Sequence, residues 1–301
     1  MNNKERHTTS YHNWYMMKKH MGKRSHKKRK LSAHDISLFR NKVYGYYKKY
    51  GRHLPWRKTQ DPYHILVSEV MLQQTQVERV IPKYHEFIRH LPDVQSLASV
   101  SLKRLLRLWQ GLGYNRRAIY LQKLARMVIT EYGGKIPSTL HGLSKLPGIG
   151  KTTASAILAF AFNIPTVFIE TNIRSVFIHH FFPKQKYVHD KEILPVVEQT
   201  LDSKNPRQWY NALMDYGTML KQTVKNPGRK SAHYQLQSPF RHSDRKIRGL
   251  VIRFLLSKAP RSMEEIVHMT GEKRERIERI VKQLENEGLV KKQQKDYVIP
   301  S

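Results

Sequence analysis

The stretch LPGIGKTTASAILAFAF, residues 146–162, constrains the fold more than any other part of the chain. Gly148 and Gly150 bracket one apolar residue, and a helical pattern begins directly after them, so the backbone must turn tightly before it enters a helix. Upstream, TLHGLSK predicts a short helix that ends at the same turn. The unit is therefore a helix-hairpin-helix, with an ordinary corner between two packed helices as the alternative.

Helical patterns surround this hairpin on both sides. They recur from Ser32 to Lys221 with glycines and prolines between them, whereas the alternation typical of strands is nearly absent. Ser32 and Asp35 have the spacing of a capping box, which predicts that the first helix begins there, and Gly51 ends it. We therefore expect an all-α domain over residues 32–221.

Three further segments complete the chain. Residues 1–31 are polar and basic, which predicts a disordered arm that either contacts phosphates or only keeps the chain soluble. Residues 222–244 have no period and predict a basic linker or surface strap. Residues 245–301 contain three helical patterns, the second opened by the capping pair Ser262 and Glu265, and then two short strands. This order predicts a winged helix-turn-helix whose third helix enters the DNA major groove, with a protein-binding winged helix as the alternative.

Charge restricts the partners of the chain. It has 55 Lys and Arg against 23 Asp and Glu, a formal net charge of +32. Nucleic acid is the expected partner because phosphates offset such a charge, and an anionic membrane is the alternative. No apolar run reaches the roughly 20 residues that span a bilayer, and no signal peptide is visible. We expect a monomeric, cytoplasmic protein associated with DNA.

Metal and redox chemistry are restricted by the absence of cysteine. Without thiolates the chain can form neither disulfides nor cysteine-bound zinc or iron–sulfur sites. The 16 histidines are scattered, and none has a carboxylate at the spacing of a metal site. We therefore expect neither a metal nor a cofactor.

The glycine turn is a candidate site for a DNA phosphate. A helix N-terminus presents free N–H groups, and glycine lets an anion approach them without a Cβ in the way. Such a contact positions a strand and reads no base. The GxxxxGK[ST] spacing of a nucleotide-binding P-loop is missing. The residues expected at this site are Leu146, Gly148, Gly150, Lys151 and Thr152.

Two isolated acids lie in apolar stretches. Glu69 stands inside ILVSEVMLQQTQ, on one helical face with Gln73, and Glu170 stands inside NIPTVFIETNIRSV, with a surface-turn glutamate as the alternative for Glu170. A buried carboxylate needs a partner or a chemical task. Two acids beside a phosphate-binding hairpin indicate cleavage of a glycosidic bond, in which one protonates the leaving group and the other stabilises the positive sugar.

The segments LPWR, VSEVMLQQTQVERVIPKY, LWQGLGYNRRAIYL, GGKIP, LPGIGKTTASAIL, IETNIRSV and NALMDYGTM together carry a family resemblance. In their order and spacing, the chain from Leu54 to Lys221 resembles the helix-hairpin-helix DNA glycosylases, most closely the MutY-type adenine glycosylases. The resemblance covers over half of the chain. It implies two helical subdomains with double-stranded DNA in the cleft between them, and a mispaired base flipped out of the duplex.

The resemblance also implies roles for individual residues. Glu69 matches the acid that protonates the adenine ring, Glu170 stands where the family has aspartate, and Asn172 matches an asparagine that supports the catalytic carboxylate. Direct attack by water and a transient bond to Glu170 both fit this set. The residues that match the flipped-base pocket and the wedge in the duplex are Arg57, Leu72, Gln73, Gln74, Thr75 and Tyr114.

Several positions depart from the family pattern. Thr152 replaces the lysine with which some relatives form a Schiff base and cut the backbone, which implies a monofunctional enzyme that leaves an abasic site. Lys221 falls where the first cluster cysteine would be. The basic residues of the following segment, which would replace the cluster loop against DNA, are Lys225, Arg229, Lys230 and Arg241.

The opposite base is expected to be recognised less strictly. By the same resemblance, Asn115 replaces a tyrosine that probes this base, and the predicted winged helix stands in the place of the family's domain for 8-oxoguanine recognition. The expected function is therefore a clusterless base-excision-repair glycosylase that removes adenine mispaired with guanine or 8-oxoguanine. The alternatives are a mismatch thymine or uracil glycosylase acting on T:G or U:G, and a non-catalytic DNA-binding protein on the same fold.

Overall fold

A computed structural model describes residues 30–236, 243–257 and 259–300. Most of the predicted arm, and residues 237–242 of the predicted linker with Arg241, lie outside the described residues. Fourteen α-helices are found in the described part: α1 Ala33–Tyr50, α2 Pro62–Leu72, α3 Val77–His90, α4 Val94–Ser99, α5 Leu102–Trp109, α6 Arg116–Tyr132, α7 Leu140–Lys145, α8 Lys151–Phe162, α9 Thr171–Phe181, α10 Asp190–Thr200, α11 Pro206–Thr223, α12 Asp244–Ser257, α13 Met263–Thr270 and α14 Arg274–Asn286.

The first helix begins and ends as predicted. Ser32 and Asp35 exchange the two hydrogen bonds of a capping box, and Gly51 closes the helix with its N–H on the Tyr47 carbonyl at 2.8 Å. The Leu31 N–H donates to Gln199 Oε1 at 2.9 Å. The chain is therefore fixed one residue before the predicted start of the helical domain.

Helices from both ends of this domain pack together. α1 lies against α10 and α11, and α11 lies against α9, while α2 to α6 form a second group. Phe39 of α1 makes edge contacts with Phe177, Phe181 and Trp209 at centroid distances of 5.5, 4.9 and 5.8 Å. α8 contacts both α2 and α11. The helix of the hairpin therefore lies where the two groups of helices meet.

The described part of the linker is an ordered strap. Its residues Pro227–Lys230 form a 3₁₀ turn against α9. The Val188 N–H donates to the Lys230 carbonyl and the Ala232 N–H to the Val188 carbonyl, both at 2.8 Å. Lys225 and Arg229 are exposed on this strap.

The C-terminal unit has three helices, α12 to α14, and a small antiparallel sheet of β1 Arg261–Ser262, β2 Lys291–Gln293 and β3 Asp296–Val298. The strand order is β1-β3-β2, so β2 is an edge strand. Ser262 and Glu265 form the predicted capping box. The three helices and the two strands of the hairpin occur in the order predicted from the sequence. The short strand β1 was not predicted. No helix in the described ranges has both the length and the apolarity needed to cross a bilayer.

Candidate active site

Helix α2 carries Glu69 into the apolar interior. Asp61 caps this helix by accepting hydrogen bonds from the Tyr63 and His64 N–H groups at 2.8 and 3.2 Å, and Pro62 occupies its first turn. The side chains on either side of Glu69, Ser68 and Val70, are buried. Glu69 is therefore an acid on a mostly buried helix.

The Glu69 carboxyl group has an unusual environment. It is half-buried, and no hydrogen bond or ion pair to it is found within the described residues. Burial, and to a smaller extent the negative charge of Glu170, raises the pKa of Glu69 to about 8. The Glu69 carboxyl group is therefore protonated in most molecules at neutral pH, as a general acid requires.

Glu170 is held in place by the helix that follows it. It is the N-cap of α9, and its Oε1 accepts hydrogen bonds from the Asn172 and Ile173 N–H groups at 2.7 and 2.9 Å. The side chain is half-buried, which differs from the surface-turn alternative. The negative charge of Glu170 contributes to the raised pKa of Glu69.

Asn172 connects Glu170 to Lys221. The Asn172 amide donates to Glu170 Oε2 at 3.4 Å, and Lys221 Nζ donates to Asn172 Oδ1 at 2.8 Å. Because an ammonium group can only donate, Lys221 orients the amide so that its NH₂ group faces Glu170. Burial lowers the pKa of Lys221. At Gly217 a Cβ would lie 2.5 Å from the Asn172 carbonyl oxygen, so only glycine lets α11 approach this closely.

The chain leaves helix α2 after Gln73. The last helical residue is Leu72, and Gln73 is the C-cap, with a φ of −56° and a ψ of 110°. The helix ends there because of a buried guanidinium. One terminal nitrogen of Arg117 donates to the carbonyls of Val70, Met71 and Gln73 at 2.9, 2.8 and 2.7 Å. These carbonyls are thereby satisfied without another helical turn.

Arg117 also fixes the loop that carries Tyr114. Its other terminal nitrogen donates to Thr75 Oγ1 at 3.0 Å and to the Leu112 and Gly113 carbonyls at 3.1 and 3.0 Å. The predicted wedge residues Gln74 and Tyr114 follow on these loops in the left-handed region, with φ of 55° and 47°. That conformation is uncommon for residues other than glycine. One guanidinium therefore holds both loops in place.

The hairpin has the expected shape. Gly148 has a φ of 79°, and a Cβ at this position would lie 3.0 Å from the Tyr120 Cβ. Gly150 is the N-cap of α8, makes no side-chain cap, and would place a Cβ in open space. Lys151 and Thr152 are exposed. The first N–H groups of α8 therefore face outward beside a lysine, in a position suited to an anion.

Leu146 lies on the inner side of the hairpin. The Leu146 side chain is 2% exposed, its N–H donates to the Leu143 carbonyl, and its carbonyl accepts from the Ile149 N–H. It supports the hairpin from inside and has no group left for a phosphate, which corrects its predicted role. The Gln73 amide donates to Thr153 Oγ1 at 3.4 Å, so the hairpin and the loop after α2 are in contact.

Arg57 lies in an ion pair that the sequence did not indicate. Its two terminal nitrogens donate to the Asp215 carboxylate at 2.8 Å each, and Arg52 donates to the same carboxylate at 2.6 Å. The hydrogen bonds of Arg57 reach Asp215, Arg52 and Asn211, and none of them reaches Glu69. Leu72 is half-buried at the end of α2.

Sequence reasoning missed Arg117 and Asp215, and it did not identify Lys221 as a partner of Asn172. Arg117 could have been found, because it stands four and seven residues before the buried Leu121 and Leu124 and so occupies a core position of α6. The partner of Asp215 is 158 residues away, and no local pattern indicates it.

The described residues contain no group of three or more His, Cys, Asp or Glu that could hold a metal ion. The fold and the site together define a class of protein: a two-part helical domain with a glycine hairpin at the exposed start of a helix, one acid on an apolar helix and a second acid that caps a helix. The family model described as "HhH-GPD superfamily base excision DNA repair protein" matches residues 67–199. The chain belongs to this superfamily.

Individual relatives agree with this assignment. An adenine DNA glycosylase of Buchnera aphidicola subsp. Baizongia pistaciae is 36% identical over 188 residues, 61% of this chain and 53% of that protein. A thymine/uracil-DNA glycosylase of Pyrobaculum aerophilum is 34% identical over 154 residues, 50% of this chain and 67% of that protein. The solved structure of a thermostable thymine-DNA glycosylase has a TM-score of 0.58 at 27% identity and covers 64% of this chain and 91% of its own. The chain spans about half the length of the adenine glycosylase it matches.

Proposed function

We propose that the protein is a monofunctional DNA glycosylase that hydrolyses the bond between adenine and deoxyribose in duplexes where adenine faces guanine or 8-oxoguanine. The observation that carries the proposal is the Glu69 carboxyl group, half-buried without a partner and with a pKa of about 8, near the helix-capping Glu170. The relatives named adenine DNA glycosylases support the choice of base.

In the proposed reaction Glu69 donates its proton to a ring nitrogen of the flipped adenine. The C1′–N9 bond then breaks, and its electron pair leaves with the neutral base. The Glu170 carboxylate stabilises the oxocarbenium ion that remains on the sugar. Water adds at C1′ and loses a proton to a carboxylate of the site, and the products are free adenine and an abasic site.

The remaining elements would bring the base to these acids. Gln74 and Tyr114, on the two loops fixed by Arg117, would fill the space that the base leaves in the duplex. Gly148, Gly150, Lys151 and Thr152 would bind a phosphate of the strand. Since threonine at position 152 cannot form a Schiff base, strand cleavage by the enzyme is not expected.

The second candidate is a mismatch thymine or uracil glycosylase. It is favoured by the relative of Pyrobaculum aerophilum and by the structural similarity to a thymine-DNA glycosylase. A protonated acid fits adenine better, because a purine offers a basic ring nitrogen to protonate, whereas a pyrimidine leaves as an anion. We therefore place adenine first.

One assay tests the proposal. Labelled duplexes that contain A:G, A:8-oxoguanine, T:G or U:G are incubated with the protein and then treated with alkali, which breaks strands at abasic sites. Glu69→Gln keeps the shape of the side chain and removes the proton. Glu131→Gln, an exposed residue of α6, is the matched control.

We expect breaks at adenine only after alkali, a loss of at least ~10³-fold in rate for Glu69→Gln, and a normal rate for Glu131→Gln. Breaks without alkali would contradict the monofunctional mechanism. Cleavage at T:G or U:G alone would select the second candidate, and binding without any cleavage would identify a non-catalytic DNA-binding protein.

A further inference from the structure

The C-terminal unit contacts the loop that carries the proposed wedge. Arg245 of α12 donates to the Tyr114 hydroxyl at 2.9 Å, and its guanidinium lies 5.8 Å from the centre of the Tyr114 ring. Arg107 of α5 donates to the Leu256 carbonyl at 3.3 Å. The unit is therefore packed on the side of the helical domain where Tyr114 would enter a duplex.

The three arginines of the third helix of this unit, α14, are paired with acids, whereas its lysine, Lys282, is exposed. Arg274 pairs with Glu264 and Glu278, both at 2.9 Å. Arg276 pairs with Asp244 and Glu272 at 2.8 and 2.7 Å.

The arginine on the next turn of α14 is also paired with an acid. Arg279 pairs with Asp244 at 2.9 Å, and the exposed face of the helix also presents Glu275 and Glu278. Because the acids offset the arginines, this helix is a poor match for a phosphate backbone, although the sequence predicts that it enters the major groove.

The hairpin after α14 has the opposite character. We call residues 291–298, which comprise β2, the turn and β3, the wing. Lys291 and Lys292 on β2 and Lys295 in the turn are exposed, and no ion pair to any of them is found in the described part of the chain. All three residues of β2 are exposed because it is an edge strand. The wing therefore presents three unpaired ammonium groups to the solvent.

We propose that the C-terminal unit binds the DNA backbone through the wing lysines Lys291, Lys292 and Lys295, and not through helix α14. The inference deepens the proposed function, since it assumes that the protein acts on duplex DNA. The contact is electrostatic and independent of base sequence, because an ammonium group on a flexible chain neutralises a phosphate without reading a base edge. It gives the glycosylase domain a second hold on the duplex, next to the wedge.

The salt dependence of DNA binding tests this surface in the full-length protein. The wing variant is Lys291→Gln with Lys292→Gln and Lys295→Gln, and the charge-preserving variant has arginine at the same three positions. The helix variant is Arg274→Gln with Arg279→Gln. Affinity for a short undamaged duplex is measured by fluorescence anisotropy between about 50 and 200 mM salt.

Each lost phosphate contact lowers the slope of log K against log salt by about 1. We expect the wing variant to lose about 2–3 from this slope, while the arginine and helix variants keep it. An unchanged slope in the wing variant, or a reduced slope in the helix variant, would overturn the proposal. A wing variant that aggregates but binds DNA with the wild-type slope would show that the lysines only protect the edge strand.

The readout does not depend on base excision. A protein that cleaves no mismatch but shows the wing-dependent slope would refute the proposed glycosylase and keep the wing as a DNA-binding surface. A protein that excises adenine, but whose slope is the same with and without the wing lysines, would support the proposed glycosylase and refute the wing as a DNA-binding surface. Thermal unfolding of each variant, followed by circular dichroism, confirms that the C-terminal unit is folded.

Discussion

At the scale of single residues, Glu69 and Glu170 show how one functional group acquires two characters. Glu69 lacks a hydrogen-bond donor in the described residues and is partly shielded from water, so its charged form is disfavoured. Glu170 receives two backbone N–H groups at the start of a helix. In the proposed function the same side chain type therefore serves as proton donor at position 69 and as charge stabiliser at position 170, and the difference comes from the backbone N–H groups that surround Glu170.

The pH dependence of the stability of the protein should reveal the raised pKa of Glu69 independently of catalysis. The pKa of Glu69 is raised from an ordinary value of 4.5 to about 8 in the folded protein, so the folded state binds this proton more tightly. Its stabilising effect is complete below about pH 4.5 and is lost as the pH rises through about 8. We expect Glu69→Gln to match wild type near pH 5 and to be more stable by about 2–4 kcal/mol near pH 9.

Thermal or urea unfolding at several pH values measures this difference. Glu131→Gln serves again as the control, and its stability relative to wild type should not change with pH. If Glu69→Gln unfolds with the same pH dependence as wild type, the Glu69 carboxyl group is solvated and cannot be the proposed proton donor.

The sequence predicted the two acids but not their setting. Glu69 and Glu170 stand out because each interrupts an apolar run. The residues that orient their surroundings come from distant parts of the chain: Lys221 lies 49 residues from Asn172, and Arg57 lies 158 residues from Asp215. Local periodicity carries no information on such pairs, because the fold alone brings them together.

At the scale of elements, caps and glycines made most helices predictable. The capping boxes at Ser32 and Ser262 and the stop at Gly51 all occur where the sequence places them. The end of α2 was not predictable, since Arg117, more than 40 residues away, takes up the last carbonyls of that helix. Local signals therefore fixed element boundaries except where a distant buried side chain replaced the usual cap.

The hairpin offers a matched pair of substitutions. At Gly150 an alanine Cβ meets nothing within 4 Å and φ is −83°, so Gly150→Ala should fold as well as wild type. The new methyl group stands beside the outward-facing N–H groups of α8, and we expect roughly tenfold weaker duplex binding, ~1.4 kcal/mol. Gly148→Ala, with φ of 79° and Tyr120 at 3.0 Å, should instead lose about 1–2 kcal/mol of stability.

Anisotropy with an undamaged duplex and thermal unfolding separate the two effects. If the proposed phosphate site is correct, Gly150→Ala lowers the affinity for the duplex and Gly148→Ala lowers the stability of the protein. If Gly150→Ala binds the duplex as tightly as wild type, the hairpin is a corner that packs two helices, and the phosphate contact must be sought elsewhere.

At the scale of the whole molecule, positive charge is unevenly distributed. The chain carries a formal charge of +32, yet residues 243–301 contain 14 Lys and Arg against nine Asp and Glu. Most of the excess therefore belongs to residues 1–242. In the C-terminal unit the arginines of α14 pair with acids of the same unit, and no ion pair to the wing lysines is found in the described residues. Repulsion among the excess charges opposes folding, and a polyanion removes this penalty.

Added salt should consequently raise the Tm of the free protein and reduce the additional Tm increase that DNA binding produces. Between about 50 and 200 mM, added salt screens repulsion, so we expect the Tm of the free protein to rise. The additional Tm increase produced by an undamaged duplex depends on the ratio of its concentration to Kd, and Kd weakens as salt replaces released counterions. The Tm values of the free and the DNA-bound protein should therefore approach each other as salt is added. A peptide nucleic acid duplex of the same sequence, which lacks phosphates, should leave Tm unchanged at every salt concentration. If it raises Tm as much as DNA does, or if the DNA-induced increase is independent of salt, then charge neutralisation is not what holds this protein on its duplex.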